Sequence, residues 1–332
     1  MNTSTFINSR KYPMKNLNIF LFLIFATVSL TAQNNKRYFD ERYISGVAFM
    51  NPVIVNPGAT GYDSNHSLLV SYKNTWATHE GSPKSLILSY DGPIADRLGL
   101  GGMLLTDTNG DLKTTKLQGS VSYTIETPTN KIGFGLSAEY IQHGLSADVF
   151  GDPLLDPDPR VNDGITGTNF FDVSFGVYGL YNGKLTYGLA LPSLVSSRID
   201  NGTSTSEREI GYLLSLGYML DNLDSDLVLE PSIMVKKLMN VDFHADINLL
   251  ARFLDDKLRG GITYTVGAHE NLGFIIGTSI NTMNFTYSYG ASRNEFQRYN
   301  NGSHELTVRF DIGGAGNSMA EKAVMEDKIN DK

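Results

Sequence analysis

The residues whose types and spacing suit chemistry are few, and most lose their force in context. Gly133-Phe134-Gly135-Leu136-Ser137-Ala138 has the G-x-G-x-x-A spacing of a dinucleotide site, but that chemistry needs a strand-to-helix turn whose helix N-terminus faces the phosphates. Here the six residues fall inside a run of strict alternation, so the motif is set aside. Asp107-Thr108-Asn109-Gly110-Asp111 resembles a calcium loop, yet its glycine comes too early and no glutamate closes it. A hairpin turn fits it better. Asp152, Asp156 and Asp158 interleave with Pro153, Pro157 and Pro159, and would suit calcium only inside a rigid frame that the sequence does not reveal. The histidines His66, His79, His143, His244, His269 and His304 have no metal-ligand spacing. No G-x-S-x-G elbow is present. A hydrolase would need a serine and a histidine on adjacent strands facing one way; His304 begins the last apolar-alternating run, without an identified partner. The expectation is a protein that is not an enzyme and holds no cofactor and no metal.

The elements that carry these residues are strands. From Lys116 to Tyr140 two runs alternate: Leu117, Gly119, Val121, Tyr123 and Ile125 against Lys116, Gln118, Ser120, Ser122 and Thr124, then Ile132, Phe134, Leu136, Ala138 and Tyr140 against Gly133, Gly135, Ser137 and Glu139. A pleated strand places each set on its own face. Each run is about ten residues long, the length a tilted strand needs to cross a bilayer core. About fourteen such runs follow one another from Ser67 to Asp311, predicting a transmembrane antiparallel β-barrel, with a soluble β-sandwich as the weaker alternative.

Composition agrees. The 332 residues are 41% apolar, with 17 Tyr, 17 Phe and 33 Gly, which suits an all-β chain. Cysteine is absent, which removes disulfides, thiolate metal sites and a lipidated N-terminal cysteine. Arg10, Lys11 and Lys15 precede the apolar run Leu17 to Leu30 and Thr31-Ala32, the pattern of a signal peptide over 1–32. The alternative, a membrane anchor, is disfavoured because the run is short of the roughly 20 residues a spanning helix needs. Met14 is a more ordinary start than Met1. Removing 1–32 takes away three positive charges and no acid, moving the formal charge from -8 to -11. So acidic an exported chain is a poor nucleic-acid binder.

Residues 33–66 are different in kind. Asn51-Pro52 and Asn56-Pro57 flank Val53-Ile54-Val55, and the prolines exclude a helix interior or a central strand. This apolar, irregular segment either packs inside or across the periplasmic mouth of the barrel, or forms an ordered extension outside it. The polar rows of the strands carry both signs of charge, which suits a filled lumen better than a selective pore. Candidate lumen or plug residues are Asn51, Pro52, Asn56, Pro57, Glu139, Asp172, Arg252, Arg259 and Arg309.

Connections sort by parity. Gln142 to Phe170, Pro192 to Gly211 and Ala291 to Ser303 all follow odd-numbered strands, whereas Asn182-Gly183, Leu254 to Asp256 and Thr282 follow even ones. Long outer loops and short periplasmic turns are the habit of outer-membrane barrels. The parity places both termini in the periplasm. Residues 312–332 read as a periplasmic tail, either frayed or making a contact there, in which Ser318 and Glu321 form a capping box.

Several stretches resemble, in order along the chain, the motifs of one family. Phe49-Met50-Asn51-Pro52-Val53-Ile54-Val55-Asn56-Pro57-Gly58 resembles its opening FNP and INPA segment, and Trp76 with Gly81-Ser82-Pro83-Lys84-Ser85 resembles a following hairpin. Gly99-Leu100-Gly101-Gly102 with Asp107 and Gly110, then Tyr187 to Leu194, then Tyr299-Asn300-Asn301-Gly302-Ser303-His304-Glu305 match its later motifs in order. Together these stretches resemble the type IX secretion system PorP/SprF outer-membrane proteins of the Bacteroidetes, from whose pattern Ala59-Thr60, Ser82 and Ser193 depart. The resemblance implies a barrel that docks or anchors an exported cargo protein, such as a surface adhesin's C-terminal domain, or links to the periplasmic secretion ring. Its implied partners are that cargo, other type IX components and outer-membrane lipid. The three long loops are then the expected partner surface, with Asp148, Asp152, Asp156, Asp158, Arg160, Asn169, Arg198, Asp200, Arg293, Arg298 and Tyr299 as candidate contacts. A passive channel or hydrophobic-solute transporter is the alternative.

Overall fold

The computed structural model describes residues 46–63, 65–78, 81–145, 167–195, 197–198, 211–221, 227–238, 243–267, 270–292 and 301–312. The expected signal peptide and the residues of the expected tail from 313 onward lie outside these. Two short 3₁₀ turns, Pro52–Ile54 and Pro57–Ala59, precede fifteen strands. The strands are β1 (His66–Asn74), β2 (Lys84–Ala95), β3 (Leu98–Asn109), β4 (Leu112–Glu126), β5 (Asn130–Leu145), β6 (Thr168–Tyr181), β7 (Leu185–Leu191) and β8 (Ser197–Arg198). They continue with β9 (Tyr212–Tyr218), β10 (Val228–Lys237), β11 (His244–Phe253), β12 (Leu258–Gly267), β13 (Asn271–Ile280), β14 (Met283–Ser292) and β15 (Ser303–Ile312).

All pairings are antiparallel. Among the described residues the two-residue β8 pairs only with β6, at Phe170 and Phe171, so fourteen of the fifteen described strands form the wall. The ladder runs from β1 through β15 back to β6, and β5 with β6 closes it. Closure leaves no row of unpaired backbone groups, each of which costs several kcal/mol in hydrocarbon.

Side chains sort by polarity in the sense opposite to a soluble protein. In β4, Lys116, Gln118, Ser120 and Ser122 are buried while Leu117, Val121 and Tyr123 are exposed. In β2, Ser85, Ser89 and Asp91 are buried beside the exposed Leu86, Leu88 and Tyr90. The same inversion recurs in β11, where Asn248 is buried between Ile247 and Leu249. An outward apolar row is stable only against lipid, because water would charge it about 25 cal/mol per Å². The outward aromatics gather towards the two ends, Tyr72, Tyr140 and Phe171 at one and Tyr90, Tyr123, Tyr181 and Tyr218 at the other. Amphipathic rings favour those two interfaces.

At one end the connections are mostly tight: 96–97, 127–129, 182–184, 254–257 and 281–282. Asn182 and Gly183 both have positive φ (49° and 66°), and Lys184 N–H donates to the Tyr181 carbonyl at 3.1 Å. That is the expected type I′ turn. Leu254, Asp255 and Asp256 all have positive φ as well. The opposite end carries 75–83, 146–167, 192–211 and 293–302. Sorting is incomplete, since 110–111 and 268–270 are short at the loop end and 219–227 is long at the turn end.

Two expected loops are narrower than the alternation implies. β5 continues to Leu145 and β6 begins at Thr168, so their hairpin rises through residues expected in the loop, Asn169 included; β14 likewise reaches Ser292. The ladder needs only backbone pairing, so it outlasts the apolar alternation where the strands leave the bilayer. Within 192–211, β8 extends β7 beyond a break at Pro192-Ser193. Proline offers no N–H there and Ser193 takes φ 57°, yet Leu194 N–H rejoins the Val173 carbonyl of β6 at 2.7 Å.

Leu136, 52% exposed at the middle of β5, faces the bilayer centre. Leu136→Arg is expected to destabilise the barrel by about 2–4 kcal/mol, and Leu254→Arg at the turn end by less than about 1, measured by equilibrium urea unfolding from lipid vesicles.

Candidate functional site

The lumen is the site, and residues 46–63 occupy it. The segment runs from Gly46, whose N–H donates to Glu305 Oε2 at 2.9 Å, to Asp63, which pairs with Arg309 at 3.2 Å. Between them, the two 3₁₀ turns are built by the prolines: each Asn-Pro places proline in the first turn, where its missing N–H costs nothing. Asn56 caps the second turn, its Oδ1 accepting from Gly58 N–H at 2.9 Å. Its Nδ2 donates to the adjoining wall, to the Val177 carbonyl of β6 at 2.9 Å and the Leu189 carbonyl of β7 at 3.4 Å. Asn51 donates back to the Val47 carbonyl. The apolar members Val47, Ala48, Ile54 and Val55 are buried, and Ile54 belongs to a cluster with the inward-facing Leu69, Ile87, Met103, Leu105, Leu213 and Met234.

The wall is shaped to receive this segment. Gly133 and Gly135 of β5 and Gly176 of β6 point inward, and a Cβ on them would collide with the Gly58 carbonyl, the Pro57 carbonyl and the Asn56 side chain respectively. Gly99 and Gly101 of β3 make the same allowance for Thr60. The alternating glycines therefore have a use that is neither a nucleotide site nor a turn: they let backbone approach backbone. Thr60 also bonds Ser120 Oγ at 3.0 Å, Gly61 N–H donates to Asp91 Oδ2 at 2.9 Å, and Tyr62 Oη donates to the Lys131 carbonyl at 2.7 Å. Burial raises the Tyr62 phenol above its ordinary value, with Tyr178, edge-on at 4.9 Å between ring centroids, adding to the effect. It therefore remains a donor throughout the physiological range.

Charges line the turn end of the lumen in one connected series. Glu230 pairs with Arg252 at 2.5 Å; Arg252 and Arg259 both hold Asp256, at 3.6 and 2.8 Å. Arg259 donates to Asn284 at 3.3 Å, and Asn284 to Asp311 at 2.8 Å. Arg309 joins Asp311 at 2.9 Å to Asp63 of the plug. Anchoring Asp256 also holds the turn whose left-handed residues carry a cost of order 1–3 kcal/mol each. Towards the loop end, Lys236 pairs with Asp246, Thr265 donates to Asp246 at 2.8 Å, Ser174 to Glu139 at 3.2 Å, and Val195 N–H to Asp172 at 3.2 Å.

The candidate lumen residues Asn51, Pro52, Asn56 and Pro57 thus lie in the plug. Glu139, Asp172, Arg252, Arg259 and Arg309 lie on the inward face of the wall. Of the candidate partner residues, Asn169 accepts from Tyr140 Oη at 2.8 Å and Arg198 is paired through its backbone with Phe170. Asp148, Asp152, Asp156, Asp158, Arg160, Asp200, Arg293, Arg298 and Tyr299 lie outside the described residues. His304 faces outward, its Nδ1 2.6 Å from Tyr287 Oη. Sequence reasoning missed the inward glycines as plug contacts, although their spacing of two on the polar rows was the available signal. Among the described residues no group of three or more His, Cys, Asp or Glu is placed to hold a metal ion.

The family described as type IX secretion system membrane protein PorP/SprF matches residues 46–310, which span the plug and all but the last two residues of the wall. The chain belongs to this PorP/SprF family. Residue 46, where the match begins, is also where the plug meets Glu305. Among solved structures, the outer membrane protein Omp33 of Acinetobacter baumannii is similar over 76% of this chain and 100% of its own, at 7% identity and TM-score 0.45. A FadL homologue of Pseudomonas aeruginosa is similar over 78% of this chain and 93% of its own, at 11% identity and TM-score 0.47. The CymD monoaromatic hydrocarbon channel is similar over 81% and 91%, at 12% identity and TM-score 0.47. No curated protein sequence matches. This PorP/SprF chain is a closed β-barrel of a type IX secretion system membrane protein family.

Gly135→Val should drive Pro57 off the wall of β5, whereas Gly119→Val, at an outward position with nothing within 4 Å, should be tolerated. Protease sensitivity of the 46–63 segment in the folded barrel is expected to rise in the first variant only, by at least about tenfold if the lost contacts are worth about 1.4 kcal/mol.

Proposed function

We propose that this barrel is a docking protein: it receives an exported cargo, such as the C-terminal domain of a surface adhesin, on its long connections. On this reading the loop end is extracellular and the turn end periplasmic, where contacts with other type IX components are made. The observation that carries the reading is the plug. Hydrogen bonds from Gly46, Asn56, Thr60, Gly61 and Tyr62 tie it to strands on several sides of the lumen, and a lumen held shut in this way suits a platform better than a conduit. Mixed, mutually paired charges on the inner wall support the same reading, since a selective pore uses a ring of one sign. No step of bond making is assigned to it, and no cofactor.

Two measurements test this. Replacing 146–167, 199–210 and 293–300 by short turns, which spares β5, β6, β8, β14 and β15, should abolish retention of cargo at the cell surface while the barrel still folds. Cargo retained at the wild-type level overturns the docking reading. In planar bilayers the wild-type protein should be silent, and deletion of 46–61 should produce steady conductance; a wild-type open pore would instead favour a passive channel.

A further inference from the structure

We propose that the chain preceding the plug leaves the lumen at the loop end, so that residues 38–45 belong to the surface of that face. Connection parity by itself assigns both chain ends to the turn end; the path of the plug points the other way for this segment. Gly46 is bound by Glu305, the third residue of β15 from its loop end. A Cβ on Gly46 would also meet Ser288 Oγ of β14, and Ser288 stands directly across the ladder from Glu305. With strands rising about 3.3 Å per residue, Glu305 is about 7 Å from the loop end of β15 and about 23 Å from its turn end.

From Gly46 the plug descends. Asn56 donates to the carbonyls of Val177 and Leu189, Tyr62 donates to that of Lys131 at the start of β5, and Asp63 pairs with Arg309 before the chain enters β1. A chain returning from Gly46 to the turn end would have to pass this segment, and both flanks are taken. On one, Pro57 and Gly58 lie against Gly133, Gly135 and Gly176, too close even for a Cβ. On the other, the series of ion pairs and hydrogen bonds from Glu230 to Arg309 follows the inner wall to Asp63. The way up is short and polar. Eight residues span up to about 27 Å. The inner wall of the loop-end half carries Lys73, Lys116, Lys236 and Glu139, charges of both signs that suit a segment bearing Asp40, Glu41 and Arg42.

The exit lies next to β15 and β1, whose loop-end connections are 293–302 and 75–83. Tyr38, Phe39, Arg42 and Tyr43 are of the types that dominate contacts between proteins. The emerging segment therefore adds aromatic and charged side chains to the face that meets a protein partner. Its use in holding cargo rests on the docking reading above; the exit itself does not.

The chain has no cysteine, so one introduced thiol is read without background. Asn301→Cys reports the loop end and Thr129→Cys the turn end, both positions being exposed there. Each variant is treated with a membrane-impermeant maleimide, in intact cells and after the outer membrane is permeabilised. Asp40→Cys is expected to react under the same condition as Asn301→Cys and to differ from Thr129→Cys. Reaction in step with Thr129→Cys, or only after the barrel is denatured, overturns the exit at the loop end. Which reporter reacts in intact cells reads the orientation of the barrel, and the loop replacements described above read docking. Either of those readings can therefore fail while Asp40→Cys still follows Asn301→Cys. Heat-modifiable migration of each variant confirms that it is folded.

Discussion

Every other feature of this protein depends on the closure of one hydrogen-bonded ladder in a medium that offers no replacement partners. β1 meets β15 and β5 meets β6, so among the described residues the wall has no open edge of N–H and C=O groups facing hydrocarbon, where each would cost several kcal/mol. Closure forces the side chains to divide between two surroundings. The outer rows take Leu, Ile, Val and Tyr, and the inner rows take Ser, Thr, Lys, Asp and Glu. Burial consequently has an unusual meaning: Lys236 is 1% exposed and Glu305 4%, and both sit in a polar interior, not a greasy one.

That interior imposes its own requirement. Buried charges must be paired and buried backbone groups bonded, and the irregular segment 46–63 both meets and creates this demand. Its prolines end any regular structure, so its backbone groups need partners from its own 3₁₀ turns and from the wall. Asp91 serves Gly61, Glu305 serves Gly46, and the carbonyls of Val177 and Leu189 serve Asn56. Glycines on the wall, poor strand formers by themselves, are tolerated because the ladder holds them on both sides. Their loss of side chain becomes a docking groove for the plug.

The two ends of the barrel then diverge. At the turn end, tight connections and a continuous series of ion pairs from Glu230 to Asp63 bind wall, turn and plug into one unit. At the loop end, strands outrun the bilayer and carry long connections. β7 resumes as β8 past Pro192, because a neighbouring strand with unpaired groups is available to rejoin. Under the docking role proposed above, the braced turn end is the mount and the loop end the surface that meets partners.

The sequence by itself determined the strands and their faces, because period-two alternation of large apolar and polar residues is local and survives any packing. Asn182-Gly183 announced its turn, since positive φ is a property of those residue types, and the PorP/SprF motifs run in order along the chain. What tertiary structure alone decided was where 46–63 goes. Its prolines exclude strand and helix but name no partner, and contacts such as Gly58 with Gly135 or Asp63 with Arg309 join residues far apart in the chain. The ends of β5, β6 and β14 and the rejoining of β8 were likewise invisible, because backbone pairing leaves no periodic trace in the order of residues.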